Sequence, residues 1–302
     1  MNDSIAGKGQ LVTVIIPVFN RREMLVRAVR SALDQTHSNL EVVVVDDGST
    51  DDIESGMNEL DDRRITYIRH DRNRGTPAAR NTGIRNAHGE YVGFLDSDDE
   101  WFKNKLERQL SDLAERGDRY QITYHALDAI DDLSLKIVDS SKFTGEGDIL
   151  RGALRECCIG LMQMLIRRED IVRMGEFDER FWSHDDWDML IRLSRHFQFG
   201  YVDKILARYH HHKNVDGRIS ERYERYGHDR RLLYELHKDL YSDNRVIHAR
   251  YLSEMAGFVA ISGDRQEAKR QLLKSISLDP FRLDPYVKLA SILRDRSRSH
   301  GP

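Results

Sequence analysis

At 302 residues the chain can form one large α/β domain with an appendage, or two modest domains, and it buries a sizeable core in either case. Charged residues make up 32% and hydrophobic residues 39%, with a mean hydropathy of -0.62, a soluble globular composition that excludes a mostly disordered chain. The formal net charge of -4 gives no global basic field, so no nucleic-acid partner is expected. No stretch approaches the ~18 to 20 apolar residues of a membrane span, and the first ten residues lack a signal-like apolar core. A cytoplasmic protein is expected, compatible with peripheral attachment at the inner face of a membrane. Cys157 and Cys158 are adjacent, which suits neither a disulfide framework nor a zinc site, and they read as small buried thiols.

In chain order, Leu11 to Phe19 is a β-branched run of the kind found in buried parallel strands, followed by helical spacing from Glu23 to Leu33. Glu41 to Val45 leads into Asp46-Asp47-Gly48-Ser49-Thr50 and a helix over 51–60. Ile65 to Arg69 precedes an Asn-Arg-Gly loop at 73–75 and a helix over 77–87. Tyr91 to Leu95 precedes Asp96-Ser97-Asp98-Asp99 and a helix over 102–116. Four βα units in succession predict a doubly wound, mainly parallel sheet. Beyond 120 the pattern becomes mixed, with strand-like Gln121 to Ala126, Leu161 to Ile166 and Tyr201 to Ala207, and helix-like Trp187 to His196. From about 218 the sequence is helical and charged. The expected organisation is an α/β domain over 10–215, with its first half at 10–116 and its second at 117–215, and a helical C-terminal extension over 216–302.

Doubly wound sheets bind ligands at the carboxyl ends of their strands, and both acidic clusters fall there. No G-x-G-x-x-G follows the first strand, and there is no Walker A loop, H-E-x-x-H or G-x-S-x-G, so dinucleotide, ATP and hydrolase chemistry lose their usual signatures. A nucleotide diphosphate suits an acidic pocket when Mg2+ or Mn2+ lies between them, bound by one or two carboxylates and completed by phosphate and water. Such a cation neutralises a departing diphosphate. The plainer alternative is that the acids are solvated caps on helix N-termini.

Val14 to Asn20 (VIIPVFN), Val45 to Asp51 (VDDGSTD), Asn73-Arg74-Gly75 with Ala79-Arg80-Asn81, and Phe94 to Asp99 (FLDSDD) together resemble the family 2 glycosyltransferases of the GT-A fold. The resemblance implies that Pro17 and Phe19 line a nucleobase pocket, that Asp47 accepts from the base, and that Arg80 approaches the diphosphate or base. It further implies Asp98 as principal metal ligand and Asp96 at the ribose or metal. Gly175 to Phe181 continues the match, and Asp185-Asp186-Trp187-Asp188 stands where the family reads Glu-Asp, an aromatic and an acid; Asp186 then takes the general-base position, with N-capping as its structural alternative. Arg208-Tyr209-His210-His211-His212 resembles the family's Tyr-Arg-x-His, with His210 replacing the arginine and His212 aligned with the final histidine, near metal or diphosphate. The implied reaction is inverting transfer of a sugar from a nucleotide diphosphate, UDP foremost, to a saccharide, lipid-linked saccharide or protein hydroxyl. A nucleotidyltransferase is disfavoured because Pro17-Val18-Phe19-Asn20 replaces a glycine-rich phosphate loop, and a noncatalytic scaffold because the acids are present.

Overall fold

The first strand, β1 (Val12–Val18), is buried at every position, and its alternate side chains feed two separate layers. Val12, Val14, Ile16 and Val18 join one core cluster with Leu25, Ala28 and Val29 of α1 (Arg22–Leu33). Ile15 faces the opposite layer, where α3 (Thr76–Asn86) packs. A strand apolar on both faces is stable only when covered on both, and this one feature fixes a layered α/β architecture.

In this computed structural model residues 9–132, 134–140, 143–211, 223–261 and 263–294 are described. The elements between and after those named are β2 (Leu40–Asp46), α2 (Ile53–Asn58), β3 (Ile65–Arg69), β4 (Tyr91–Phe94), β5 (Glu100–Trp101), α4 (Lys105–Arg116), β6 (Ile122–Asp131) and β7 (Ile137–Ser140). There follow α5 (Leu150–Arg155), β8 (Leu165–Arg167), α6 (Arg168–Arg173), α7 (Asp185–Ser194) and β9 (Phe199–His211). Among the described residues the sheet runs β3-β2-β1-β4-β8-β6-β9-β5, with β7 on β6. The expected parallel β3-β2-β1-β4 half is present. Beyond β4 the pairing is mixed: β8 is antiparallel to β4 and β6, while β9 is parallel to β6. β9 extends past both ends of the expected 201–207 segment, because register shifts opposite His125 to Leu127 interrupt the alternation that strand reading depends on. The short β5, β7, α5 and α6 had no periodic signal to announce them.

Pro17 sits in a central strand without breaking it. Ile15 accepts from the Leu95 N–H on the β4 side, so Pro17, two residues on, turns its missing N–H to the same side, where β4 has already ended at Phe94. Gly83 lets α3 approach β1 closely, since a Cβ there would lie 2.4 Å from Ile15 Cγ2. Gly83→Ala should therefore destabilise the protein by about 1–3 kcal/mol, the scale of an overpacked core. An unchanged denaturation midpoint would show that Ile15 yields freely.

The described residues fall into two compact units, one within Met1–Ala153, Cys157–Glu179 and Asp185–Val215, the other within Leu154–Glu156, Arg180–His184 and Asp216–Pro302. The second unit contains α8 (Tyr223–Leu236), α9 (Lys238–Ser242), α10 (Arg245–Ile261), α11 (Arg265–Leu278) and α12 (Asp284–Arg294). α10 is buried on nearly all sides, and Tyr251 on it stacks with Tyr234 and packs on Tyr241. Buried Asp229 of α8 accepts from the backbone N–H groups of Trp182 and Ser183, which draws the 180–184 turn into this unit. No helix among the described residues is long and apolar enough to cross a membrane.

His248 lies among these tyrosines with Nε2 2.8 Å from the Tyr234 hydroxyl. Burial, aided by Lys274 and Lys238, pushes its proton affinity down from 6.5 to about 4. The unfolded chain therefore binds the proton more readily, so this contribution is complete above pH 6.5 and is lost as pH falls toward about 4. His248→Gln should flatten the fall of melting temperature across that interval; an unaltered slope would assign the acid limb to other groups.

Candidate active site

Each carboxylate at the strand ends has a distinct set of partners. Asp46 is wholly buried, accepting from the Ser49 N–H at 2.8 Å and the Tyr67 hydroxyl at 2.7 Å. Asp47 gathers the next loop: one oxygen lies 2.7 Å from His70 Nδ1, the other accepts from the Gly75 N–H at 2.7 Å, and the Arg74 N–H reaches both. These donors stand at the head of α3, where free N–H groups and the helix dipole favour an anion. Gly75, at φ 95°, is the N-cap whose backbone makes this turn, and Asp47 supplies the side-chain acceptor that the cap lacks.

Beside Asp47, Phe19 is 42% exposed at the end of β1, so its ring is surface and not core. The turn that follows is fixed by Asn20, at φ 54°, whose side chain accepts from the Thr50 N–H while its own N–H donates to Ser49 Oγ. The turn that follows Phe19 is thereby tied to the loop that carries Asp47.

After β4, Asp96 remains 42% exposed, Asp98 is ion-paired with Arg21, and Asp99 is fully buried. Arg27 donates to the Asp98 carbonyl at 2.6 Å. Asp99 accepts from the His210 N–H at 2.9 Å through one oxygen, and its other oxygen has no hydrogen-bond partner. Burial first, then the charges of Asp98 and Asp96, holds the Asp99 carboxyl well above the usual carboxylate range. A cation beside this turn would relieve that crowding. Oxygen donors suit Mg2+ or Mn2+, yet no group of three His, Cys, Asp or Glu side chains converges as a ready cage among the described residues. The residues thus fit a cation held by one or two carboxylates and completed by a phosphate ligand.

Arg80 joins this turn to the second half of the sheet. Its guanidinium is buried, 3.0 Å from Asp96 Oδ1 and 2.5 Å from Asp185 Oδ2, with the Phe177 ring beneath it. Asn81, the next residue, exchanges hydrogen bonds with the Phe177 backbone, so α3 also fixes the segment ahead of α7. Burial pushes the Asp185 carboxyl up; Arg80 opposes that shift and Asp186 reinforces it. Asp186, half-buried at the start of α7, accepts from the Trp187 N–H at 2.7 Å and lies 3.7 Å from Cys157 Sγ. Cys157 is exposed, which corrects the expectation of a buried thiol: it follows α5 in a loop that reaches Asp186 and does not enter the core.

His210 and His211 belong to β9 and do not follow it. His210 is buried, Nδ1 2.5 Å from Asp132 and Nε2 3.0 Å from Glu100, so it ties β5 to β9. Hydrogen bonding to His210, then Arg27 and Arg208, holds Glu100 below its ordinary value against the effect of burial. His212 lies outside the described residues. Sequence reading assigned nothing to Arg21, Arg27, Tyr67 or His70. His70 carried a usable signal, because it follows β3 at its carboxyl end, as the acidic clusters follow β2 and β4.

A strand-end acidic site on a half-parallel, half-mixed sheet is the architecture of GT-A glycosyltransferases. TarS of S. aureus, in its crystal structure with UDP-GlcNAc, superposes with a TM-score of 0.66 at 20% identity, over 88% of this chain and 81% of that one. The Glycosyl transferase family 2 model matches residues 13–170, and the chain belongs to that family. AmsB, the amylovoran biosynthesis glycosyltransferase of Erwinia amylovora, is 35% identical over 210 residues, 66% of this chain and 69% of AmsB. A putative teichuronic acid biosynthesis glycosyltransferase of Bacillus subtilis, TuaG, is 38% identical over 161 residues, 53% of this chain and 63% of TuaG. An uncharacterized glycosyltransferase of Rickettsia conorii is 36% identical over 200 residues, and the chain spans only 32% of its length.

Removing Arg80 would leave Asp185 buried without its cation. Arg80→Ala should lower stability by about 3–5 kcal/mol, as expected for one broken partner of a buried pair. The double variant Arg80→Ala/Asp185→Ala should recover part of that loss; purely additive melting temperatures would mean the pair is not coupled.

Proposed function

We propose that the protein transfers a sugar, with inversion, from a UDP-sugar to the hydroxyl of a saccharide or lipid-linked saccharide, with Asp186 as general base. The observation that carries this reading is the Arg80 bridge, which brings Asp96 of the strand-end turn and Asp185 of α7 to one guanidinium and so puts Asp186 beside the acidic turn. TarS crystallised with UDP-GlcNAc supports the donor class. WfaP of Escherichia coli, a UDP-Glc:alpha-D-GlcNAc-diphosphoundecaprenol beta-1,3-glucosyltransferase 40% identical over 101 residues, supports the acceptor class, although it shares only 33% of this chain. The chain spans about a third of the length of several of these relatives.

Donor recognition begins at the base. Phe19 offers an exposed ring for stacking, and Asp47, already oriented by Arg74, Gly75 and His70, offers acceptor capacity to an imide N–H. Pro17 shapes the strand end beneath them. Asp96 has an exposed oxygen for the ribose or the metal, and Arg80 sets its orientation while adding positive charge on the diphosphate side. Asp98, with Asp99 behind it, would hold Mg2+ or Mn2+, and His212 is proposed as a further ligand on the sequence match alone. Once bound, the cation would offset charge on the diphosphate.

In the reaction itself, an acceptor oxygen forms a bond to the anomeric carbon as the bond from that carbon to the diphosphate oxygen breaks, the electron pair leaving with UDP. Asp186 takes the hydroxyl proton. Its carboxylate is kept in place by the Trp187 N–H and the Cys157 thiol, whereas the Asp185 carboxylate is committed to Arg80. The two neighbours therefore have separable duties.

Asp186→Asn should lower kcat by roughly 10² to 10⁴-fold with UDP-sugar affinity by calorimetry little changed. Asp185→Asn should act mainly on melting temperature through Arg80. Near-normal turnover in Asp186→Asn would remove it as the base, and a purely kinetic defect confined to Asp185→Asn would transfer the role. Titration with UDP-, GDP- and dTDP-sugars, with and without manganese, tests the donor: UDP-sugar binding strengthened by the metal and weakened in Asp98→Asn is expected, and a preference for GDP or dTDP would replace the assignment.

A further inference from the structure

α12 and the turn ahead of it carry an apolar stripe that is exposed among the described residues. Phe281 is 92% exposed, Leu283 76% and Val287 69%. Val287 and Ala290 lie three residues apart on one side of α12, with Leu283 just ahead of the helix and Tyr286 and Leu293 at the margins. The other side, with buried Pro285, packs against α11 and α10. An isolated surface leucine needs no explanation, but a contiguous row of aromatic and aliphatic side chains marks an interaction surface.

Charge indicates what this surface meets. Residues 281–302 contain Arg282, Lys288, Arg294, Arg296 and Arg298 against Asp284 and Asp295, a net +3 in a chain of net -4. Asp284 is itself paired with Arg282 and Lys288. The acidity of the protein is therefore concentrated in residues 1–280, whereas Arg282, Lys288 and Arg294 belong to α12 or its immediate approach and Arg296 and Arg298 follow in the sequence. Two copies joined through the same patch would bring like charges together. An anionic bilayer surface satisfies both features, taking the apolar side chains at its headgroup boundary and the arginines at its phosphates.

We infer that Phe281, Leu283 and Val287, with the basic residues around them, form a docking surface for a membrane rich in anionic lipid. This attachment is peripheral, and it is independent of the assignment of Asp186. Three apolar anchors and a few cations give reversible binding that depends on both lipid charge and salt.

The test is co-sedimentation of the full chain with phosphatidylcholine vesicles and with vesicles that also contain phosphatidylglycerol. The wild type should sediment with the anionic vesicles and be released by salt. Phe281→Ser/Leu283→Ser/Val287→Ser should reduce the bound fraction at least about tenfold, and Arg294→Glu/Arg296→Glu/Arg298→Glu should reduce it comparably, with melting temperature and UDP-sugar binding retained in both. Wild-type protein that ignores anionic vesicles, binds neutral ones equally, or binds undiminished after either set of substitutions overturns the inference. So does a concentration-dependent dimer that forms without vesicles and is lost in the triple serine variant, which would make a second copy the occupant.

Discussion

A buried guanidinium has to be paired, and in this protein that requirement joins the two halves of the α/β unit. Arg80 leaves α3 beneath the sheet ends and meets Asp96 on one side and Asp185 on the other, residues 16 and 105 positions away. Taking Arg80 and Asp185 out of water is costly, and it is sustained because the two pair, with Asp96 at the exposed side of the guanidinium and the Phe177 ring beneath it. The turn after β4 and the head of α7 are consequently fixed against each other. Asp186 receives its position from this arrangement through its neighbour in sequence, without contacting Arg80 by any hydrogen bond of its own.

Asp47 performs a similar task at shorter range. Its carboxylate fills the N-terminus of α3 and anchors His70, and His70 Nε2 in turn lies 2.9 Å from Thr82 Oγ1 on the same helix. The strand-end acids are thus not interchangeable. Asp46 is committed to its own turn and Asp47 to the next loop, Asp98 answers Arg21, and Asp99 retains an oxygen without a partner. A site with this many carboxylates is electrostatically incomplete by itself. It is suited to a ligand that arrives with both a cation and a phosphate, and ill suited to a bare anion.

The helical unit has a different physical character. Its centre is a tyrosine cluster around α10, and a buried carboxylate, Asp229, collects the backbone of the 182–183 turn that directly precedes α7 in sequence. Its last described helix, α12, exposes Val287 and Leu293, with Phe281 and Leu283 ahead of it also exposed. Family membership speaks to residues 13–170, so these helices are where the protein's individual properties are to be sought.

Much of the first half was legible in the sequence because its signals are local. Unbroken β-branched runs marked β1 and β2, helical spacing marked α1 and α3, and the acids after β2 and β4 fell at strand ends by the ordinary rule for doubly wound sheets. The ordered motifs named the family for the same reason, since each is a short contiguous string. Tertiary structure decided what no local string encodes. Only the packed sheet brings Arg80 to Asp185, exposes Phe19 while burying Pro17, and folds His210 between Asp132 and Glu100. Only the register shifts between β6 and β9 explain why the latter continues through a segment whose alternation fails. Residue type and spacing determine which groups are available for chemistry; which of them are committed to one another depends on contacts among residues as far apart as 105 positions, and those are set by burial and charge pairing in the folded chain.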